Sequence, residues 1–511
     1  MALISRRYLK QVCLSISLIL IGIVLFQRAA TKPFWFDEII TLRIAQCPLG
    51  SQMWNAITSG IDFTPPAIDV ATRLSELTLG RGPIASRLPS IISGLVVLFC
   101  AFQVSARTGG TAAGFWSFFL LFFSQALVYF TEARGYAFVM AGTMVAWVSW
   151  QGLMDNTGRR WIRLLGVWAG LSLTLASHMW AILIPACFIT AAIAGSLGKK
   201  TIDAATLGAM IAPGLLVLMY PPIMPSARGI RFGGGVYLGT SLPQAYRTVL
   251  EHVPLFLVAC GLVFAIDLLL PTREGGEPYS HSQRAKKPPL EDVVLAACLV
   301  CAPCAIYLAA KLMHTAFMSR YALTAVLGAA FFLSRLLAFL GAKSRIGPYT
   351  LLLISGLGLF AYSIHSVFAG WRVRNPLGPE LRWLAQDETN NELVVLSSGL
   401  EFLQADYYAP PSISNRLTYV GDRYLARQFV GTDGMDSAFV LGSKYLKLRG
   451  RVVSYRELKL KYRNFWLVAD STYELNWLSD KLRADGADIR ALDIPHTRIS
   501  HVTLPAATPD H

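Results

Sequence analysis

The stretch PFWFDEIITLRIA, residues 33–45, follows directly on a hydrophobic segment that is long enough to cross a membrane. Two adjacent carboxylates, Asp37 and Glu38, stand there among aromatic and branched aliphatic side chains. Charged groups at the edge of lipid are costly and usually belong to a pathway or a site. Neighbouring side chains on a helix diverge by about 100°, so the two acids cannot share one task. We therefore expect a functional site here.

The composition predicts a polytopic membrane protein. The 511 residues are 54% hydrophobic and 15% charged, against about 25% charged in an average soluble domain. The net charge of +15 needs no nucleic-acid partner, because lysine and arginine collect in the cytoplasmic loops of such chains. Most of the eight cysteines fall in apolar segments, so the sequence predicts no disulfide framework.

Runs of about 17–25 apolar residues predict about eleven transmembrane helices. The positive-inside rule places the N-terminus in the cytoplasm, because the lysine- and arginine-rich loops alternate with loops that lack them. Residues 29–86 and the residues after the last span then lie outside. The predicted spans are near 10–28, 87–106, 111–129, 135–154, 162–178, 180–197, 204–222, 252–271, 292–311, 322–341 and 348–368.

The last 140 or so residues change character and predict a soluble α/β domain outside the membrane. ELVVLSS (392–398), NFWLVADS (464–471) and IRALDI (489–494) are typical of short strands. TYELNWLSDKLRADG (472–486) is typical of an amphipathic helix that ends at a glycine. We predict a membrane domain over 1–370, which includes the outer loop 29–86, and an extracytoplasmic domain over 371–511.

Unusual polar residues gather on the predicted outer face from four separate segments of the chain. Such convergence is what a site built from loops at one end of a helix bundle requires. Each residue also has a plainer interpretation: Arg134 and Arg320 could contact lipid headgroups, Glu132 could only pair with Arg134, and His178 could be an ordinary interfacial histidine. Beyond Asp37 and Glu38, the candidates are Asp62, Glu132, Arg134, Tyr136, His178, Lys311, His314, Arg320 and Tyr321.

Three other patterns do not indicate a site. Cys298, Cys301 and Cys304 resemble part of an iron–sulfur signature, but they lie inside an apolar span and are better explained as small packing residues. RFGGGVYLG (231–239) lacks the lysine and the following helix of a phosphate-binding loop. The acids and histidines show no metal-ligand spacing, so the sequence supports no protein-built metal site, although a divalent cation recruited with a phosphate stays open.

The chain resembles membrane glycosyltransferases with the GT-C fold, specifically the dolichyl-phosphate-mannose protein mannosyltransferase-like family and its bacterial relatives, among them the lipid A aminoarabinose transferases. The matching stretches cover most of residues 30–340 in the expected order. After its two prolines this chain reads AIDVATRLSEL instead of aromatics, which puts the acceptor side in doubt. The stretches are FWFDEIITL (34–42), DFTPPAIDVA (62–71), SRLPSIISGLVVLF (86–99), TEARGYAF (131–138), SHMWAILI (177–184) and SRYALTAV (319–326).

The resemblance implies transfer of a sugar from a polyprenyl-phosphate donor to a glycan, lipid or protein acceptor at the outer face of a bacterial inner membrane. It implies that Asp37, with Glu38 beside it, acts as the base, and that Arg320, Arg134, Lys311 and Tyr321 bind the donor phosphate. Glu132, Tyr136, Asp62, His178 and His314 would support them, and no cofactor is required.

Two other functions fit a polytopic chain with buried charges. A secondary transporter places its polar residues near the bilayer midplane, whereas here they crowd one face. A non-catalytic envelope assembly protein would use Asp37 and Arg320 only for pairing or anchoring. The sequence does not say which sugar is moved or what accepts it.

Overall fold

The computed structural model divides the chain into two compact units. The membrane unit is Met1–Thr31, Ser75–Leu218 and Leu238–Arg372, and the sheet unit is Lys32–Leu74, Met219–Tyr237 and Val373–His511. The structure describes residues 2–62, 64–199, 203–223, 240–269, 287–313, 315, 317–343, 354, 356–358, 360–365, 377–386, 391–469, 475–492 and 498–505.

The regular secondary structure of the membrane unit is helical among its described residues. Seven of its described helices are long and apolar enough to cross a membrane, and the protein is a multi-pass membrane protein. Its α-helices are Ala2–Thr31, Pro83–Phe122, Ala126–Tyr129, Tyr136–Met154, Arg160–Leu175, Leu183–Lys199, Ala204–Ile211, Leu242–Val249, Val253–Leu269, Leu290–Leu312 and Leu323–Lys343, with 3₁₀ turns at Met179–Ile182, Ala212–Met219 and Ser319–Ala322.

The predicted polytopic helical architecture is confirmed, and the differences from the eleven predicted spans have local causes. Pro83–Phe122 contains two predicted spans, which the chain separates at Gly110 with φ +77°. Arg160–Leu175 has 16 residues, fewer than the ~20 that cross the hydrocarbon core without local thinning of the bilayer. The predicted span 348–368 and the predicted loops at 231–239 and 271–289 lie wholly or largely outside the described residues.

Small residues bring the membrane helices together. A Cβ atom on Gly142 would clash with the carbonyl oxygen of Gly170, so the helices Tyr136–Met154 and Arg160–Leu175 touch backbone to backbone. Close approach of this kind is typical of membrane helix pairs. Around this contact, Trp116, Trp147 and Phe331 belong to a large buried aromatic core.

A buried carboxylate joins several membrane helices at the end of the unit away from residues 130–136. Asp292, which is fully buried, accepts hydrogen bonds from Trp147 Nε1 at 2.8 Å and Gln151 Nε2 at 3.0 Å. Arg107 donates to Asp292 at 2.9 Å and to Asp155 at 2.5 Å. Charges within an apolar bundle are tolerated when they are paired in this way.

The sheet unit contains a mixed six-stranded sheet among its described residues, in the order β3-β2-β1-β4-β6-β5. Strands β1 to β4 run parallel, and β6 joins β4 and β5 antiparallel. The strands are β1 Leu393–Leu396, β2 Leu417–Val420, β3 Arg451–Val453, β4 Asn464–Val468, β5 Asp488–Ala491 and β6 Ile499–Thr503.

Helices that follow the strands cover the sheet. The predicted strands at β1, β4 and β5 are confirmed, and the predicted helix forms as Trp477–Ala484, followed by Gly486 in the left-handed region with φ +75°. The sequence-based prediction missed β2, β3 and β6. The other helices after residue 373 are Pro379–Gln386, Gly399–Tyr408, Pro411–Ser414, Arg423–Val430, Gly434–Leu446 and Tyr455–Lys461.

The first part of the predicted outer loop 29–86 folds with the C-terminal residues. Lys32–Leu74 belongs to the sheet unit and contributes the helices Phe36–Ala45, Ser51–Thr58 and the start of Ala67–Leu79. The division of the chain at residue 370 stays a prediction. What the structure adds is that the acid-bearing stretch packs on helices more than 350 residues away along the chain.

Candidate active site

Three segments that are distant in sequence meet at one small cavity within the membrane unit. They are the start of the helix Tyr136–Met154, the turn at His178 and the turn at Arg320 and Tyr321. The cavity has a volume of about 30 Å³, which is room for one or two water molecules and not for a sugar ring. Apolar side chains of the helices, among them Met140 and Ile184, close its sides. The cavity brings together Tyr136, His178, Arg320 and Tyr321, which belong to three of the four segments predicted to converge. Their roles stay predictions.

Gly135 allows the first two segments to approach. A Cβ atom at this position would clash with the backbone carbonyl of Ser177. Since no residue other than glycine lacks that atom, the close contact depends on this residue. As a result, the rings of Tyr136 and His178 come within 5.3 Å, centroid to centroid.

His178 is held by its own turn and by two aromatic rings. Its Nδ1 accepts a hydrogen bond from the backbone N–H of Trp180 at 3.2 Å, at the start of the 3₁₀ turn Met179–Ile182. The neutral imidazole therefore carries its proton on Nε2. The Tyr321 ring also lies 5.3 Å from the histidine ring, centroid to centroid. A residue fixed in this way can present one N–H donor in a defined direction.

Arg320 supplies the positive charge at the cavity. Its guanidinium carbon lies 5.9 Å from the centroid of the Tyr136 ring, a distance at which the ring attracts the cation. The residue is half-buried within the 3₁₀ turn Ser319–Ala322. Because a guanidinium offers a planar fork of donors, it suits the paired oxygens of a phosphate.

Glu132 and Arg134 lie in the turn that leads to Tyr136. Both are 5% exposed, and the backbone N–H of Arg134 donates to the carbonyl of Glu132 at 2.8 Å. Neither residue lines the cavity around His178. Their predicted roles, phosphate binding for Arg134 and support by Glu132, stay predictions.

Of two other predicted residues, Lys311 does not line this cavity and His314 is not described by the structure. Lys311 is exposed near the end of the helix Leu290–Leu312 and does not line the cavity. His314 lies outside the described residues. The prediction that they assist the donor phosphate stays untested.

The acids Asp37 and Glu38 begin a short helix of the sheet unit, Phe36–Ala45, which we call the acid helix. Glu38 is fully buried, and its Oε2 accepts the backbone N–H of Trp35 at 3.4 Å, so its carboxylate helps to start the helix. Asp37 is half-buried. Both carboxylates stand in the first turn, where the helix dipole favours negative charge.

The acid helix is held by the helix Gly399–Tyr408, which we call the clamp helix. The backbone N–H of Phe34 donates to the hydroxyl of Tyr408 at 2.5 Å, and Gln404 Nε2 donates to the carbonyl of Phe34 at 3.4 Å. Past the acids, Arg43 Nη2 lies 3.3 Å from Asp406 Oδ2. The clamp helix thus contacts the chain both before and after Asp37 in sequence.

Sequence reasoning missed Arg43, Asp406 and Tyr408. Burial lowers the pKa of Arg43 from its ordinary value, and the adjacent Asp406 carboxylate opposes that shift. The partners of the ion pair are 363 residues apart in sequence. The only available signal was an arginine at the end of a short apolar helix, and that signal does not identify its partner.

Asp62 lies in the same unit, at the loop that precedes the helix Ala67–Leu79. It is 6% exposed, and its neighbour Phe63 lies outside the described residues. The preceding Ile61 packs against Gly442 of the helix Gly434–Leu446. The predicted supporting role of Asp62 stays a prediction.

The described residues hold no group of three or more histidine, cysteine, aspartate or glutamate side chains that could bind a metal ion. The eight cysteines, which all lie in the described part of the chain, are free. Cys298, Cys301 and Cys304 lie on the helix Leu290–Leu312, and Cys301 and Cys304 are exposed there. Their interpretation as packing residues stays a prediction.

Comparison with solved structures identifies the fold. No family model and no curated protein sequence matches the chain. ArnT from Cupriavidus metallidurans bound to undecaprenyl phosphate matches with a TM-score of 0.53 and 13% identity, covering 97% of this chain and 99% of that one. The apo state of the same protein gives 0.56 and 12%, with 98% of each chain covered.

The chain therefore has the fold of the GT-C membrane glycosyltransferases, as the sequence resemblance predicted. A third match, the oligosaccharyltransferase AglB from Archaeoglobus fulgidus in complex with an inhibitory peptide and a dolichol-phosphate, reaches a TM-score of only 0.44 at 10% identity, over 99% of this chain and 75% of that one. At these identities the likeness establishes architecture, and the activity has to be argued from the site.

Proposed function

We propose that the chain is a membrane glycosyltransferase of a bacterial inner membrane. It moves one sugar from a polyprenyl-phosphate donor to an acceptor hydroxyl at the outer face, with the N-terminus in the cytoplasm. The observation that carries the proposal is the meeting of Arg320, His178, Tyr136 and Tyr321 at one cavity of an apolar helix bundle. That bundle shares its fold with a protein that was solved with undecaprenyl phosphate bound.

The donor chemistry suits the residues of the membrane unit. A polyprenyl phosphate is a good leaving group, so it needs no general acid, but negative charge grows on its oxygens as the bond to the sugar breaks. Arg320 neutralises that charge, and Arg134, Lys311 and Tyr321 contribute to phosphate binding. Tyr136 and His178 orient the guanidinium and add hydrogen bonds, and the apolar helices bind the lipid tail through burial of its carbons.

The acceptor chemistry suits the acid helix. An acceptor hydroxyl is a weak nucleophile, and a carboxylate beside it takes its proton as the oxygen attacks the anomeric carbon. In our proposal that base is Asp37. The new carbon–oxygen bond forms on the face opposite the departing phosphate, which leaves with the bonding electrons, so a single displacement inverts the anomeric centre.

The remaining candidates have supporting roles in this proposal. Glu38 starts the acid helix and so orients Asp37, Glu132 supports Arg134, and Asp62 and His314 contribute to substrate binding. The reaction as written needs no metal ion, since fixed guanidinium groups supply the positive charge.

Mass spectrometry of the cell envelope tests the proposal. Lipids, glycans and proteins are compared between the parent strain, a strain without the gene, and that strain complemented with the gene. We expect one hexose or pentose to disappear from one acceptor and to return on complementation. The amount restored then measures transfer by any variant.

A binding assay completes the test. Undecaprenyl phosphate should raise the thermal unfolding midpoint of the detergent-solubilised protein. An unchanged envelope together with substrate movement across sealed vesicles would instead identify a transporter, and an envelope defect that Asp37→Asn fully repairs would identify an assembly protein.

A further inference from the structure

The acid helix is too short to hold a catalytic carboxylate in place by itself. It has 10 residues, and isolated helices of this length are marginal in water. Its position must therefore come from tertiary contacts. Within the sheet unit these contacts come chiefly from the clamp helix and from the helix Gly434–Leu446.

The two carboxylate oxygens of Asp406, on the clamp helix, have different partners. Oδ1 accepts the backbone N–H groups of Arg449 and Gly450, both at 2.7 Å. Oδ2 faces Arg43 of the acid helix at 3.3 Å. The side chain of Asp406 is fully buried and that of Arg43 is 13% exposed, so the pair is only weakly screened by solvent.

Arg43 is further constrained by an aromatic ring. Its guanidinium carbon lies 5.6 Å from the centroid of the Tyr407 ring, which favours the cation there. Tyr407 also packs edge-on against Phe34 at 5.8 Å. The same pair of residues, Tyr407 and Asp406, thus contacts the chain before and after Asp37.

We propose that Asp406 is a positioning residue for the proposed base Asp37, which it holds through Arg43. The C-terminal residues would therefore take part in the reaction without touching the substrate. This inference rests on the proposed function, because positioning matters only if Asp37 takes the acceptor proton. Misplacing a catalytic group by about 1 Å can cost ~100-fold in rate.

The variant Asp406→Asn separates positioning from folding. The amide keeps an Oδ1 that can accept from Arg449 and Gly450, but it presents an uncharged N–H₂ group to Arg43. We expect transfer in the complemented strain to fall by about 30- to 100-fold. The rise in the thermal unfolding midpoint that undecaprenyl phosphate causes should be unchanged. Glu380→Gln is the matched control: Glu380 is a buried carboxylate that pairs with Arg498 instead of the acid helix, and this variant should transfer at the parent rate.

Two further measurements exclude a merely structural effect. Arg43→Lys, which keeps the charge, should recover a substantial part of the transfer that Arg43→Met loses. In an Asp37→Asn background, Asp406→Asn should cause no additional loss, because it acts through Asp37.

The outcomes distinguish this inference from the function on which it rests. If Asp37→Asn transfers normally, the proposed base is wrong. If Asp37→Asn is inactive while Asp406→Asn transfers at the parent rate, Asp406 is not a positioning residue. A loss in Asp406→Asn that Glu380→Gln shares, or that adds to the loss in Asp37→Asn, also overturns the inference.

Discussion

The two units of this protein hold the residues of the proposed site through different contacts. In the membrane unit, Arg320 and His178 are fixed by aromatic rings and by backbone contacts that a glycine permits. In the sheet unit, the acid helix is fixed by a buried ion pair and hydrogen bonds to the clamp helix, which is distant only in sequence.

This difference suggests a division of labour. The membrane unit has the features of a phosphate and lipid site, and the sheet unit carries the proposed base. A change in the first unit should therefore alter donor binding and rate together, and a change in the second should alter rate alone. The predictions below test that separation, from the largest effect to the smallest.

Asp37→Asn should lower transfer about 10³-fold, because a general base contributes about 10²–10⁴-fold. The rise in the thermal unfolding midpoint that undecaprenyl phosphate causes should stay at the parent value, since the amide is close to the carboxylate in size. Asp488→Asn, an exposed site in the same unit, serves as the control. A loss of donor binding in Asp37→Asn would contradict the separation.

Arg320→Gln should lower transfer about 10²-fold, the usual cost of removing one donor to a developing negative charge. Unlike Asp37→Asn, it should also reduce the rise in the thermal unfolding midpoint that undecaprenyl phosphate causes. Arg320→Lys should recover part of the binding, because it restores the charge without the planar fork. Normal donor binding by Arg320→Gln would place the phosphate elsewhere.

Gly135→Ala should lower transfer about tenfold, a moderate effect because the new methyl group forces the turn at Gly135 away from Ser177. The cavity residues Tyr136 and His178 would then move apart. Gly208→Ala is the matched control, since a Cβ atom there meets nothing within 4 Å and alanine favours a helix. Equal transfer by the two variants would show that this close approach is dispensable.

Asp436→Asn should change only the pH dependence of stability. Burial raises the pKa of Asp436 to about 7 although it accepts hydrogen bonds from Asp422 N–H and Trp477 Nε1. The folded protein therefore binds this proton more tightly than the unfolded chain does, and stability falls as the pH rises from about 4 to about 7. The asparagine variant keeps both hydrogen bonds and avoids this loss of stability. The loss amounts to a few kcal/mol at most, because each pKa unit corresponds to about 1.4 kcal/mol.

The measurement is the unfolding midpoint between pH 5 and pH 8, about the range in which folded proteins are usually most stable. The advantage of Asp436→Asn over the parent should grow up to about pH 7 and then stay constant. Asp433→Asn should be less stable than the parent by an amount that stays constant over this range, because a lowered pKa leaves the carboxyl ionised in both the folded and the unfolded protein above about pH 5. The difference should shrink only at lower pH. Burial acts to raise the pKa of Asp433, but hydrogen bonds from Arg427, Arg423 and Ser437 outweigh it and lower the pKa. An advantage of Asp436→Asn that does not vary with pH would contradict the assignment.

The sequence predicted those parts of the structure that depend on composition and local pattern. The long apolar runs identified the membrane helices. The roles of Asp37 and Glu38, which the aromatic residues around them singled out, stay predictions. The grouping of Tyr136, His178 and Arg320 followed from topology, because alternate loops of a helix bundle reach the same face.

The missed features depend on tertiary partners. Strand β2, LTYV, has four fully buried residues, and a run that short does not distinguish a strand from a buried helix segment. The pairing of Arg43 with Asp406 across 363 positions leaves no periodicity. The tautomer of His178 follows from a backbone hydrogen bond that only coordinates reveal.

The most direct test of the central claim is an experimental structure of the protein with undecaprenyl phosphate bound. We predict that a phosphate oxygen lies within about 3 Å of the Arg320 guanidinium, the usual length of a charge-assisted hydrogen bond, and that the Asp37 carboxylate borders the same cavity. A phosphate bound away from Arg320, or a position 37 that cannot reach that cavity, would contradict the account.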